Sequence, residues 1–333
     1  MRKLLIAFTL LFAVLLISTM YVPRRKPQGN GYNTNVIHFN VVHSYVHMLT
    51  HIIKEKDFLS PYLPDGVTVE WTTINTSPEL RDAMVSGNVD ITILASPAVI
   101  TAIENGLPIL ILSGHVVNSC GIFSKNSNIK GIEDLALANG IYISSLSATA
   151  SLAILAMCQD EFNDAQLLSE KFIAQSNDLS MIAFESSNDV DCFANGFPNT
   201  VRTRQIDGVH QVVDLTPYAR KYDLGNYYVV SEKFYNENPL LIEGFRKAQK
   251  DALDFAASQP EEAAELLEKV FEIERNITAE NMKSIIAEEM KKSPPRLEIS
   301  GYDKCAGLLY EAGILSKPPV QFADLPNYKG AEK

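Results

Sequence analysis

The chain has 333 residues, 46% of them hydrophobic, enough for two lobes of ordinary size each with its own core. Its formal net charge is -11, and five of its basic residues (Arg2, Lys3, Arg24, Arg25 and Lys26) sit at the N-terminal end, so the remainder is more acidic still. That balance argues against nucleic acid or an anionic membrane face as a partner and leaves small-molecule binding open.

Residues 4–22 are apolar apart from hydroxyl side chains and follow Arg2 and Lys3, which reads as an export element outside the fold. No small-x-small pair ends this run, and three basic residues follow at once. Its length is near the minimum for crossing a bilayer, so a cleaved signal peptide and an uncleaved membrane anchor both stay open. A lipid-bearing cysteine is absent from this stretch, because the first cysteine is Cys120. Residues 23–35 form a polar linker. The domain that follows is expected to work outside the cytoplasm.

Residues 36–42 predict a strand and residues 43–58 a helix. His43, His47 and His51 recur every four residues, a spacing that can present imidazoles to a metal. On a helical wheel the three fall roughly opposite Tyr45, Val46, Leu49, Ile52 and Ile53, so a solvated histidine face is expected instead. Residues 67–74 and 89–95 read as further strands. Ser77–Pro78 and Ser96–Pro97 each cap and start a helix, and Gly87 and Gly106 stop them. Strand and helix in this rhythm predict a parallel sheet, whose ligand edge lies beyond the carboxyl ends of the strands. That rule selects the loops at 42–44, 95–97 and 114–117, and with them His43, Ser44, Ser96 and His115.

Farther along, residues 141–145 end a strand, and Ser147, Ala148 and Thr149 open a helix of small residues. Free amides at such a helix start, with hydroxyls at Ser145, Ser147, Thr149 and Ser151, suit an anion or a carbonyl oxygen. The plainer reading is that Ser147 only caps its own helix; one hydroxyl can do both. Residues 171–175 predict a strand, 177–187 a helix and 190–194 a strand that runs out into Asn195, Gly196, Phe197 and Pro198. There Gly196 permits close backbone approach and Phe197 offers an apolar surface. Arg202 and Arg204 follow but are expected to be solvated. Cys120, Cys158, Cys192 and Cys305 have no metal-type spacing and read as buried thiols.

The stretch 225–270 returns as a strand, turns at Ser231 and enters two helices started by Asn238–Pro239 and Gln259–Pro260. Alternation allows only one of Tyr227 and Tyr228 to face a cleft, and Tyr227 is the candidate. Together with residues 87–110 and 126–146, this block resembles the extracytoplasmic solute-binding proteins of the nitrate/sulfonate/taurine class. The resemblance covers about residues 36–315 and implies a type II periplasmic-binding-protein fold, two α/β lobes on a hinge with an interlobe ligand cleft. One lobe would hold residues 36–116 and 225–333, the other 117–224. It further implies a ligand site at the positions just named, no cofactor, an ABC permease and ATPase as partners, membrane contact only through the N-terminal segment, and a monomer. The ligand it implies is a sulfonate, a nitrate-like anion or a heteroaromatic such as a thiamine precursor.

Two other readings stand beside capture for import. A membrane-tethered sensor would use the same cleft without a transporter. An enzyme on this fold is less favoured, since there is no GxSxG motif and no readable His and Asp pairing around a serine.

Overall fold

The computed structural model describes residues 31–42, 45–74, 77–187, 189–275, 282–292 and 294–325. The export segment, most of the linker, and His43 and Ser44 of the expected site lie outside the described residues. No described helix is long and apolar enough to cross a membrane.

Two five-stranded sheets frame the molecule. The first holds β1 (Val36–Asn40), β2 (Thr68–Thr72), β3 (Ile91–Ala95), β4 (Ile109–Gly114) and β10 (Asn226–Ser231), in the order β2-β1-β3-β10-β4. The second holds β5 (Cys120–Ser124), β6 (Ile141–Ile143), β7 (Phe172–Ala174), β8 (Cys192–Gly196) and β9 (His210–Asp214), in the order β7-β6-β8-β5-β9. The chain crosses between them through residues 115–119 and 215–225. This is the two-lobed periplasmic-binding-protein architecture.

The parallel sheet expected from the first strands forms, with β1, β2 and β3 parallel, and the return strand β10 joins it antiparallel to both β3 and β4. The physical reason is that β10 comes back from the second lobe and so enters from the sheet's carboxyl edge: Asn226, its first residue, lies opposite Ala95, the last of β3. Every residue of β10 is buried. Tyr227 and Val229 join one hydrophobic cluster and Tyr228 and Val230 the other, as alternation requires of a strand covered on both faces. Covering one face is the Pro239–Ser258 helix, whose buried stripe of Leu241, Ile242, Phe245, Ala248, Ala252 and Phe255 follows the helical period. Phe245 packs 5.2 Å from Phe39 and 5.4 Å from Tyr228 between ring centroids, each burial contributing about 1.5–3 kcal/mol.

The solvated histidine face does not form. The segment begins with a 3-10 turn at Tyr45–His47 and becomes an α-helix only at Met48–Glu55, and His47 and His51 are each 2% exposed. The Pro239–Ser258 and Pro260–Arg275 helices both pack against it, so it has little wet side. The His51 ring nitrogen Nε2 hydrogen-bonds with the Val42 carbonyl at 3.0 Å. The four cysteines are free and buried, and burial raises all four thiol pKa values, that of Cys158 to about 11 and those of Cys192 and Cys305 to about 12.

Both crossovers are tied down by the C-terminal part of the chain. Glu289, on the Met282–Lys292 helix, accepts hydrogen bonds from the Ser119 amide at 2.8 Å and its hydroxyl at 2.7 Å. Beyond it, residues 294–301 pass without helix or strand across the first crossover, where Gly114 N donates to Leu297 O and Arg296 N to His115 O, each at 2.8 Å. Arg296 then reaches the second crossover and pairs with Asp223, which also accepts from Gly301 N at 3.3 Å. Gly114 must be glycine here, because a Cβ would come within 2.2 Å of Glu298 O. The Tyr302–Glu311 helix that follows packs on Ser96–Glu104 of the first lobe and Thr149–Phe162 of the second.

Candidate binding cleft

A cavity of ≈ 290 Å³ opens between the sheets. It lies where four strand ends converge: the carboxyl ends of β3 at Ala95 and of β8 at Asn195–Gly196, and the starts of β5 at Cys120 and of β10 at Asn226. Its size is at the lower end of small-molecule sites, about 300–1,000 Å³. A larger recess of ≈ 590 Å³ lies beside the Ser96–Glu104 helix and shares Ser147 with the cleft; its wall is mostly apolar, with Arg81, Thr101 and Asn105 as its other polar side chains.

Donors come from the Thr149–Phe162 helix. Its N-cap is Ala148, in extended conformation, and no side chain caps it. The first-turn amides of a helix have no partner within it, and the helix dipole adds positive potential at that end. Ser147 and Thr149 line the cavity beside these amides. The loop is held by Ser145, whose carbonyl accepts from Ala148 N at 3.2 Å and Ser151 Oγ at 2.7 Å.

Five asparagines surround the cavity: Asn118, Asn177, Asn195, Asn199 and Asn226. Asn195 is 2% exposed and donates through Nδ2 to Thr203 Oγ1 at 2.8 Å, while that hydroxyl donates to Asn199 O. Its Oδ1 is buried without a partner, as are those of Asn118 and Asn177. Asn226 directs Nδ2 at Val116 O, 3.3 Å away; a carbonyl only accepts, so the amide orientation is fixed and Oδ1 is left for the cavity. Phe197 supplies the apolar wall, backed edge-on by Tyr45 at 4.7 Å between centroids. Among the described residues lining the cavity none is charged. Burial, with Asp214 and Glu289 nearby, raises the Cys120 thiol well above its ordinary value, so the one thiol on the wall is a poor nucleophile.

Of the residues named from sequence, Ser147, Ala148, Thr149, Asn195, Gly196 and Phe197 line this cavity. Four others lie off it. Ser96 is fully buried and its hydroxyl donates to Asp223 O at 2.8 Å, binding the second crossover to the first lobe. His115 is buried against the Tyr228 ring, 5.1 Å between centroids, because the strap at 294–301 covers that part of the crossover. Tyr227 points into the core and donates to Asp223 at 2.9 Å. Ser145 is exposed and serves through its carbonyl. Neither Arg202 nor Arg204 reaches the cavity; Arg204 donates to Gln211 at 3.1 Å. Sequence reasoning missed Asn118, Asn177, Asn199 and Asn226. The signal for Asn226 was a polar residue heading an apolar strand, and for Asn177 an asparagine directly after Ser176, the residue whose side chain caps that helix.

The sequence profile described as "NMT1/THI5 like" matches residues 54–263, more than half of the chain. No curated protein sequence matches. Among solved structures, the periplasmic aliphatic sulphonate binding protein SsuA from Escherichia coli is 18% identical, with 86% of this chain and 90% of that one covered and a TM-score of 0.67. The alkanesulfonate-binding protein SsuA from Xanthomonas axonopodis pv. citri, bound to MOPS, is 14% identical over 86% and 96%, with a TM-score of 0.64. A Candida albicans gene product with the generic periplasmic binding protein fold is 14% identical over 86% and 92%, with a TM-score of 0.61. Identities this low establish a shared fold.

Proposed function

We propose, from the premise that this chain belongs to the NMT1/THI5-like family, that it captures a small molecule in the cleft between its lobes outside the cytoplasm and delivers it to an ABC importer permease. The observation that carries this reading is the cavity itself: uncharged among the described residues, polar, and built from both lobes beside the two crossovers, with an uncapped helix start on one wall and unpartnered carboxamide oxygens on another. Such a site fixes a ligand by many weak directed bonds and holds no described pair of groups set up to break a covalent bond. Rotation about residues 115–119 and 215–225 closes the lobes on the ligand, and the closed form is what a permease recognises. The N-terminal segment, as signal or anchor, carries the domain to that side of the membrane.

A thermal-shift screen of sulfonates, nitrate, bicarbonate, heteroaromatic thiamine precursors and aromatic acids tests this, followed by small-angle scattering with each hit. Binding to the native state raises the melting temperature by mass action, and closure lowers the radius of gyration. Replacing Ser147 and Thr149 together with alanine is expected to weaken a hit about tenfold, the loss of one or two net hydrogen bonds. A hit whose affinity is unchanged in that double variant refutes the placement of the site, and a screen without any shift in folded protein refutes capture of these ligand classes.

A further inference from the structure

We infer that the ligand is uncharged and of the cyclic amide or ureide class, offering N–H groups to the asparagine wall and a carbonyl oxygen to the helix start at Thr149. This deepens the cleft reading above and rests on it. An anion such as a sulfonate or nitrate carries acceptors only and needs donors on every side. The Thr149 helix start supplies donors on one side. On the other the cavity presents the opposite chemistry. Asn195 and Asn226 each spend their Nδ2 on a partner outside the cavity, Thr203 Oγ1 for one and Val116 O for the other, so the oxygen is the unspent end of each amide. Asn118 and Asn177 add buried oxygens with no partner. A buried acceptor left unpaired costs about 1–3 kcal/mol, so a wall of this kind selects a ligand that brings protons to it.

Charge agrees with hydrogen bonding. Among the described residues the cavity has no cationic side chain, and the Glu289 carboxyl group lies just behind its wall, bonded to Ser119 between the lining residues Asn118 and Cys120. Both Glu289 oxygens are taken up by Ser119, one by its amide and one by its hydroxyl. An anion would enter beside this acidic side chain with no cationic side chain on the cavity wall among the described residues, whereas an uncharged amide needs none. Phe197 gives a planar ligand an apolar face to lie on, and ≈ 290 Å³ admits a single ring.

The test is isothermal titration of the full chain with hydantoin and uracil as uncharged probes and methanesulfonate and nitrate as anions, on the native protein, Asn195→Ala and Asn195→Asp. Circular dichroism and melting curves establish that each variant is folded. The expected result is that an uncharged probe binds and the anions do not. Asn195→Ala should weaken the uncharged probe at least tenfold. Asn195→Asp keeps an unspent oxygen, its second oxygen drawing the single Thr203 proton away from Asn199 O, and should weaken the uncharged probe less than Asn195→Ala. Tighter binding of either anion than of both uncharged probes overturns the ligand class and leaves capture in the cleft standing. An uncharged probe that ignores Asn195→Ala overturns the role of the asparagine wall. Silence from all four probes overturns the class, and capture itself is then decided by the wider screen.

Discussion

Glu289→Ala is the sharpest perturbation of the hinge. The side chain is 6% exposed and accepts from Ser119 N at 2.8 Å and Ser119 Oγ at 2.7 Å, joining the C-terminal helix to the middle of the first crossover. Two hydrogen bonds to a charged acceptor contribute about 1.5–3 kcal/mol each. Against this stands the cost of keeping the carboxylate away from water, which removal would relieve; that cost is several kcal/mol for a fully buried ion. The alanine variant also leaves the Ser119 amide, itself in a residue only 3% exposed, without a partner. The balance is a loss of about 2–3 kcal/mol, which for a chain of this size lowers the melting temperature by about 3–5 °C. Glu289→Gln is the decisive companion. Its oxygen still accepts from the amide, and the Ser119 hydroxyl can turn to accept from the new NH2 group, so only charge assistance is lost, about 1 kcal/mol. Urea titration and thermal melts of both variants measure the order. Equal losses, or an alanine variant within about 0.5 kcal/mol of native, would refute the account of Glu289 as the tie between the Met282–Lys292 helix and the first crossover.

Two further predictions follow from buried titratable groups. Burial holds the His115 imidazole neutral by lowering its pKa from 6.5 to about 3, whereas the unfolded chain takes up a proton near the ordinary value. Stability from this group is therefore complete above pH 6.5 and is lost as pH falls, by up to about 1.4 kcal/mol per pH unit. Urea midpoints at pH 7 and pH 5 should show His115→Leu losing about 2 kcal/mol less than native over that interval, and parallel losses would sink the argument. For the thiols, iodoacetamide at pH 8 should leave native protein unmodified and alkylate all four cysteines in urea, since burial pushes Cys158 up to about 11 and Cys192 and Cys305 to about 12. Rapid native labelling read by mass spectrometry would contradict their burial.

Much of the frame was legible because its signals are local. The helix start at Ser96–Pro97, the stop at Gly106 and the apolar runs ending at Ala95 and Asn195 each rest on the chemistry of a few neighbouring residues, and the structure places elements there, although the N-cap is Ala95 and the Ser96 hydroxyl goes to Asp223 O rather than capping the helix. The histidine ladder was misread for a related reason. A wheel reports which residues share a side but not whether that side is covered, and two helices from more than a hundred residues later cover His47 and His51.

The amino-acid sequence by itself determined the alternation of strand and helix and the small-residue helix start at Ser147, Ala148 and Thr149, because period and turn chemistry are written in adjacent residues; the two lobes on a hinge came from the resemblance to solute-binding proteins. Only the tertiary structure decided the composition of the cavity. Asn118, Asn195 and Asn226 meet because the returning strand β10 enters antiparallel beside β3 and the chain leaves for β5 next to the end of β8. The same pairing turns Ser96 and Tyr227 inward to Asp223 and away from the cleft. Which way a polar side chain near a strand end faces depends on its neighbour across the sheet, and that neighbour lies far away in the chain.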